Sequence, residues 1–405
     1  MLKMPKPVQQ KSSPYAEGTH QPGSTASPHP LSARVMDHFQ SIPDYRVNRR
    51  RRHELIDILV ITICAIICGA DEWTEVEEYG NAKIEWLKTF LKLPNGIPSH
   101  DTFGRVFARL NPDALQKAFL SWVNAVETIT AGQLVALDGK TLRRTFDKAS
   151  KKVAIHMVSA WACQDHLVLG QVQVQDKSNE ITAIPKLLEV LDLQGCTVTL
   201  DAMGCQKEIA AKIIDQQADY VLSLKGNQGT LKEDVELFFQ DAQQRHFQKV
   251  PHQYLQTTDG EHGRIEVRRY YTVSDVSRLE GLAAWKGLSS LGMVEATREI
   301  DGSLSREVRY FISSLDGDVH RFAHAVRGHW GIENSLHWTL DVAFREDDSR
   351  IRQGHASANL AVLHHIALNL LKQEKSLKRG VKCRRHKAGR HDDYLLMVLC
   401  AGRKN

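Results

Sequence analysis

Three kinds of hydrophobic patterning follow one another along the chain. From 34 to 125 the apolar positions recur at helical spacing. The run Leu55–Ala70 is almost wholly apolar and predicts a buried core helix over 54–69. It contains Asp57 and, at 16 residues, is short of the ~20 needed to cross a bilayer. A second helix is expected from Trp73 to Leu91, and a third after a cap at Ser99 or Asp101, with Phe103, Val106, Phe107 and Leu110 on one face. From 131 the period changes. Leu134–Leu137 reads as a short strand ending in Asp138-Gly139-Lys140. Val153–Cys163 and Leu167–Gln175 read as a hairpin turning at Gln164-Asp165. Asn179 is placed to cap a helix to about Leu191, and Thr197–Leu200 is a strand ending in Asp201. A helix over 206–217 leads to a strand at Tyr220–Leu224, which ends in Lys225-Gly226-Asn227. A meander followed by strand–helix units implies an α/β domain, a mixed sheet with helices on both faces. Between about 240 and 315, runs around Ile265, Met293 and Tyr310, with turn signals at Asp259-Gly260 and Asp301-Gly302, predict an antiparallel β insertion. The chain then turns helical again to about 375.

Composition changes little in this picture, but charge placement does. The net charge is only +5, from 53 basic and 48 acidic residues. From Lys372 to the end there are 11 Lys or Arg against 3 Asp or Glu, a net +8, which leaves about −3 on the rest. A basic tail over 376–405 suggests a polyanionic partner or a solvated, partly ordered segment. Residues 1–30, rich in Pro, Ser, Gln, His and Gly, read as a disordered leader and carry no apolar signal-peptide core. The seven scattered cysteines exclude a disulfide framework and fit a reducing cytoplasm. A run of four arginines, Arg49–Arg52, opens the helical region of 34–125, which reads as a DNA-binding module or as a packing domain with a solvated basic loop.

Candidate chemistry gathers at the strand ends. In open α/β sheets it lies beyond the carboxyl ends of the strands. If the strands ending in Asp138 and Asp201 are parallel neighbours, their carboxylates come within about 5 Å plus side-chain reach. Such a pair repels unless a cation bridges it, and oxygen ligands favour Mg²⁺ or Mn²⁺. Turn or cap roles for the two aspartates are the alternative. Glu333, Asp341, Glu346, Asp347 and Asp348 compete to be a third acid. Glu333 and Asp341 are too far apart along a helix to share one metal pair, and Glu333 shares a helix face with His329 and His337. That spacing matches no known zinc motif.

The motifs Leu137-Asp138-Gly139-Lys140-Thr141, Asp201-Ala202-Met203-Gly204-Cys205-Gln206, Leu224-Lys225-Gly226-Asn227-Gln228, His262-Gly263-Arg264-Ile265-Glu266 and His329-Trp330-Gly331-Ile332-Glu333-Asn334 stand in order along the chain. With Ile42-Pro43-Asp44 and Ile97-Pro98-Ser99-His100-Asp101-Thr102-Phe103, they resemble DDE transposases of the ISAs type, the H-repeat-associated proteins. The resemblance spans about Arg34 to Leu371. It implies an RNase H-like catalytic domain over 131–375, interrupted by the β insertion. It also implies a metal-binding triad of Asp138, Asp201 and Glu333 that holds two Mg²⁺, or Mn²⁺, per site. Related transposases carry a Lys seven residues after the Glu, where Leu340 stands here, and Arg327 and His329 are imperfect stand-ins for the upstream basic partner.

From this follow expectations of a bacterial cytoplasmic protein, nucleoid-associated when acting. Its partner would be double-stranded DNA, both transposon ends and target, and it would pair as a homodimer in the synapse, with no membrane contact. Lys140, Arg143, Lys225, Arg264, Arg327 and His329 are candidates to meet DNA phosphates; Asn227 could hydrogen-bond DNA or cap the next helix. Three functions remain open: an active transposase, a nuclease of the same fold that cuts without joining, and an inactive DNA-binding relic.

Overall fold

The computed structural model describes residues 35–401, except for 127–131, 147–153, 175–178, 262–263, 278, 280 and 301–302. The expected leader and the His262-Gly263 pair therefore lie outside the described residues.

The apolar run folds as α2 (Leu55–Cys68), buried on all sides, and Gly69 ends it in the left-handed conformation (φ 115°) that a residue with a Cβ resists. Around it stand α1 (Val35–Gln40), α3 (Trp73–Ala82), α4 (Ile84–Leu87), α5 (His100–Arg109) and α6 (Pro112–Val126). Trp73 stacks on Phe107, with centroids 5.1 Å apart. The single helix expected over 73–91 is broken at Lys83, whose ammonium reaches Asp392 at 2.7 Å. The break turns Leu87 and Leu91 into the core.

The α/β part holds β1 (Leu134–Thr141), β2 (His156–Ala162), β3 (Leu167–Gln173), α7 (Glu180–Glu189), β4 (Thr197–Leu200), α8 (Lys207–Asp215), β5 (Asp219–Leu224) and α9 (Gly229–Gln244). Then come β6 (Gln253–Glu261), β7 (Arg264–Val273), β8 (Ser290–Ile300) and β9 (Ser303–Ser313). All nine strands form one sheet in the order β3-β2-β1-β4-β5-β9-β8-β7-β6. The first five make the RNase H-like core, with β1, β4 and β5 parallel and β2 and β3 antiparallel. The β insertion is not a separate module. Its strand β9 pairs antiparallel with β5 on one side and β8 on the other, so the insertion prolongs the main sheet.

Helix α10 (Val319–Gly331) lies across the sheet and continues through a π-helical segment, Ile332–His337, into α11 (Trp338–Ala343). Gly328 lets it sit close on β1, since a Cβ there would overlap Leu134. Next, α12 (Ala356–Gln373) is buried along nearly its whole length between β3 and helices α2, α5 and α6. Two of its asparagines are spent on backbone. Asn359 donates to the Phe107 and Leu110 carbonyls at 2.8 and 3.0 Å, and Asn369 pairs with both backbone groups of Val168 at 2.9 Å. The N-terminal helices thus pack directly on the α/β part.

The expected basic tail needs correction. Residues from 381 form α13 (Val381–Arg390) and α14 (Asp392–Leu399), packed on α2 and α12. Arg385 is only 4% exposed; it donates to the Ile66 carbonyl at 2.8 Å, to the Ala343 carbonyl and to Asp71 at 3.2 Å. Part of the basic excess therefore closes helix C-termini, where the helix dipole favours a cation.

Candidate active site

Strand β1 does not end at Asp138 as expected. Its parallel pairing with β4 stops at Leu137 opposite Leu200, while its antiparallel pairing with β2 runs on to Thr141. Asp138 therefore stands where the parallel sheet opens, and Asp201 follows the last residue of the neighbouring strand. The two aspartates occupy adjacent positions at the carboxyl edge, as the pattern suggested. They are held differently. Asp138 Oδ1 accepts from its neighbour's amide, Gly139, at 2.9 Å. Asp201 Oδ1 accepts from the amides of Met203 (2.9 Å) and Gly204 (3.4 Å), which fixes the turn after β4. The β5–α9 loop braces that turn: Asn227 donates to the Ala202 carbonyl (2.5 Å) and Gln228 to the Cys205 carbonyl (2.8 Å). Asn227 does not cap α9, whose N-cap is Gln228; it is exposed, with its amide nitrogen held on the Ala202 carbonyl.

Glu333 comes to the same place from above. It projects from the π-helical segment, a widened turn often found at functional sites. Asp138, Asp201 and Glu333 line one cavity of about 240 Å³, with Lys225, Arg309 and Trp330 among its other walls. One oxygen each of Asp138 and Glu333 and a ring nitrogen of His337 lie within 4.8 Å of one another. His337 Nδ1 is 3.7 Å from Asp138 and 3.5 Å from Glu333, and its buried Nε2 has no hydrogen-bond partner among the described residues. Asp201 is not part of this tightest group.

The electrostatics follow from the crowding. Burial pushes the Asp138 carboxyl up to about 7, and the Glu333 charge adds to the rise while His337 opposes it. Glu333, more open, is held below the usual carboxylate range, chiefly by His337. One carboxyl of the pair thus keeps its proton near neutrality, which a bound cation would displace. Two oxygen donors that cannot both ionise without a counter-charge, and an imidazole nitrogen beside them, fit a divalent cation.

The rival acids are occupied elsewhere. Lys140, expected to meet DNA, is 11% exposed at its side chain and pairs with Asp341, with Glu346 (3.0 Å) and with Asp347 (3.5 Å). Asp348 pairs with Arg144 and Arg345. Glu346 also touches His364 Nδ1 at 3.1 Å. Of the five acids considered, Glu333 alone lines the cavity. Lys140 is therefore an internal counter-ion, which corrects the DNA-contact expectation.

The other expected contacts spread out. Lys225 is exposed on the cavity wall. Arg143 is 80% exposed and reaches Asp347 at 3.3 Å. Arg327 is exposed on an adjoining cleft and pairs with Asp259 at 3.0 Å. The Arg264 side chain lies outside the described residues. His329 donates to or accepts from Thr199 Oγ1 at 3.0 Å, and burial pushes its imidazole down to about 4, so it is neutral near pH 7 and no phosphate-clamping cation. Sequence reasoning missed Arg309, whose guanidinium lies 4.8 Å from the Trp330 ring centroid; a strand arginine carries no local signal of this.

An RNase H-like sheet with acidic side chains converging at its carboxyl edge defines the broad class of nucleases and nucleotidyl transferases. Comparison with known proteins narrows the class. Residues 130–370 match the family described as "Transposase DDE domain", and residues 36–123 match "DDE_Tnp_1-associated". The chain belongs to the DDE transposase family. It is 45% identical over 372 residues to "Putative transposase YncI" of Escherichia coli O157:H7, covering 91% of this chain and 94% of that protein. It is 40% identical over 372 residues to "H repeat-associated putative transposase YhhI" of Escherichia coli strain K12, covering 90% and 97%. The family implies a DNA substrate and a divalent metal. Among the described residues, no helix is long and apolar enough to cross a membrane.

Proposed function

We propose that this protein hydrolyses the phosphodiester at each end of a mobile DNA element and joins the freed 3′-hydroxyl to target DNA, with Mg²⁺ (Mn²⁺ as a substitute) as cofactor. The observation that carries this reading is the meeting of Asp138, Asp201 and Glu333 around one cavity at the open edge of the sheet. Asp138, Glu333 and Asp201 would hold two metal ions, with His337 placed to hold or orient one of them. Metal ions bound there would activate water and stabilise the leaving oxygen. The chain's own residues do the rest. Asp138 must release the proton that burial makes it keep. The Asn227 and Gln228 side chains keep Asp201 aimed by fixing its turn. Lys225 on the wall meets incoming phosphate charge, and Trp330, 40% exposed, offers a flat apolar face beside it. No covalent enzyme intermediate is needed, since water and then the 3′-hydroxyl are the nucleophiles. The synapse of two ends would be held by a homodimer, acting at the bacterial nucleoid.

The alternative is a nuclease that cuts without joining. An inactive relic is disfavoured because all three acids face the same space. The deciding experiment supplies a labelled, pre-cut element end with a free 3′-hydroxyl, a supercoiled plasmid and Mg²⁺. Label transferred to the plasmid supports the transposase; hydrolysis of uncut ends with no transfer supports the nuclease.

A further inference from the structure

A cavity of about 990 Å³ lies apart from the catalytic residues, between the segment joining α1 to α2 and helix α5. Arg46, Arg52, His53, Arg105 and Arg109 line it, and no acid does. Two of these arginines have local work. Arg46 forms a two-pronged pair with Asp44 (2.9 and 2.8 Å), and Arg105 donates to the Asp101 carbonyl at 3.1 Å. Asp44 also takes Arg51 at 3.3 Å, so that acid is spent. Arg52 and Arg109 have no ion-pair partner among the described residues. Two cations left uncompensated in an acid-free cleft attract an anion. The cleft is too large and open for one small anion, and its size and its arginines suit a length of sugar–phosphate backbone.

The cleft also leads toward the catalytic strand. Arg105 lines a second hollow together with Arg350 and Arg352, where Glu72 and Asp101 also stand. Arg352 in turn donates to the Arg144 carbonyl at 2.7 Å, just beyond the end of the strand that bears Asp138. We infer that this cleft is a docking site for duplex DNA backbone and holds the DNA whose end is processed at the Asp138–Glu333 centre. The inference rests on the proposed function only in taking DNA as the ligand. The helical N-terminal part thereby acquires a role beyond packing.

The test is binding of a fluorescein-labelled DNA duplex by the full chain, followed by anisotropy over a series of salt concentrations in EDTA. Without metal there is no cleavage, so failure of the proposed activity leaves this readout untouched. The double variant Arg52→Ala/Arg109→Ala should bind about tenfold more weakly or worse near 0.1 M salt. The slope of log affinity against log salt should fall by about two units, one per lost phosphate contact. Val47→Glu, at a residue 57% exposed on the cleft wall, adds an acid without removing a contact and should weaken binding in the same direction. Arg245→Ala, an exposed arginine paired with Asp241 on α9, should change nothing. An unchanged slope in the double variant, or an equal loss in Arg245→Ala, would overturn the assignment.

Discussion

Lys140→Met is expected to destabilise the protein by about 3–5 kcal/mol, the usual cost of removing one partner from a buried ion cluster. The ammonium is the common counter-ion of Asp341, Glu346 and Asp347, and Glu346 is 5% exposed. Burial alone would raise the Glu346 carboxyl. The His364 contact and the Lys140 charge outweigh it and hold the group well below the usual range. Methionine fills the volume but leaves three acids facing one another. Chemical denaturation should show a lower midpoint at neutral pH. The sign with pH is fixed. In the variant Glu346 loses the Lys140 charge that helps hold its carboxyl down, so it takes up a proton more readily on acidification and the deficit shrinks as pH falls. A loss under about 1 kcal/mol, independent of pH, would mean that the cluster is solvated and that Lys140 does not anchor α11 to β1. Because α11 continues the helix bearing Glu333, activity should fall along with stability.

Asp138→Asn should separate stability from activity. Cleavage should drop by about three powers of ten, because the carboxylate's share of metal-borne charge stabilisation is several kcal/mol. Stability without metal should rise. The Asp138 carboxyl, ordinarily near 3.8, titrates at about 7 in the fold. The folded protein therefore keeps a proton that the unfolded chain releases between about pH 4 and 7. Wild-type stability falls as pH rises through that window and is flat above it. The expected penalty is on the order of 2–4 kcal/mol. Asparagine cannot ionise, so the variant's curve should lack this fall and lie above the wild type at pH 8 in EDTA. A variant less stable than wild type under those conditions would show that the site is not under charge strain.

Much of this architecture is legible in the residue pattern, and the exceptions have physical causes. The runs Leu134–Leu137 and Thr197–Leu200 do pair as parallel neighbours, and the aspartates after them do meet at one edge. The helix face with His329, Glu333 and His337 is also readable by spacing. What is not readable is the π-helical widening, which tertiary packing imposes and no local motif announces. The pairing of Lys140 is not legible in the sequence because its acids lie about 200 residues further on, at Asp341 and Glu346, and only the fold brings them to it. The C-terminal arginines look like a solvated tail by composition. Arg385 is instead buried against helix-end carbonyls that come within its reach only after α2 and α11 have packed. Asn227 is a short-range case: its amide reaches the Asp201 turn across two loops, which spacing alone does not show.

The central claim is that Glu333, with Asp138 and Asp201, forms a metal-dependent phosphodiester-cleaving centre. Nicking of a labelled DNA end carrying the element's true terminus tests it most directly, with wild type and Glu333→Gln assayed side by side in Mg²⁺ and in EDTA. The substitution keeps size and hydrogen bonding and removes the charge. Nicking by the wild type in Mg²⁺ alone, and its loss in Glu333→Gln while DNA binding persists, is the predicted result. Equal nicking by both proteins would contradict the assignment of Glu333, and nicking undiminished in EDTA would contradict the metal centre itself.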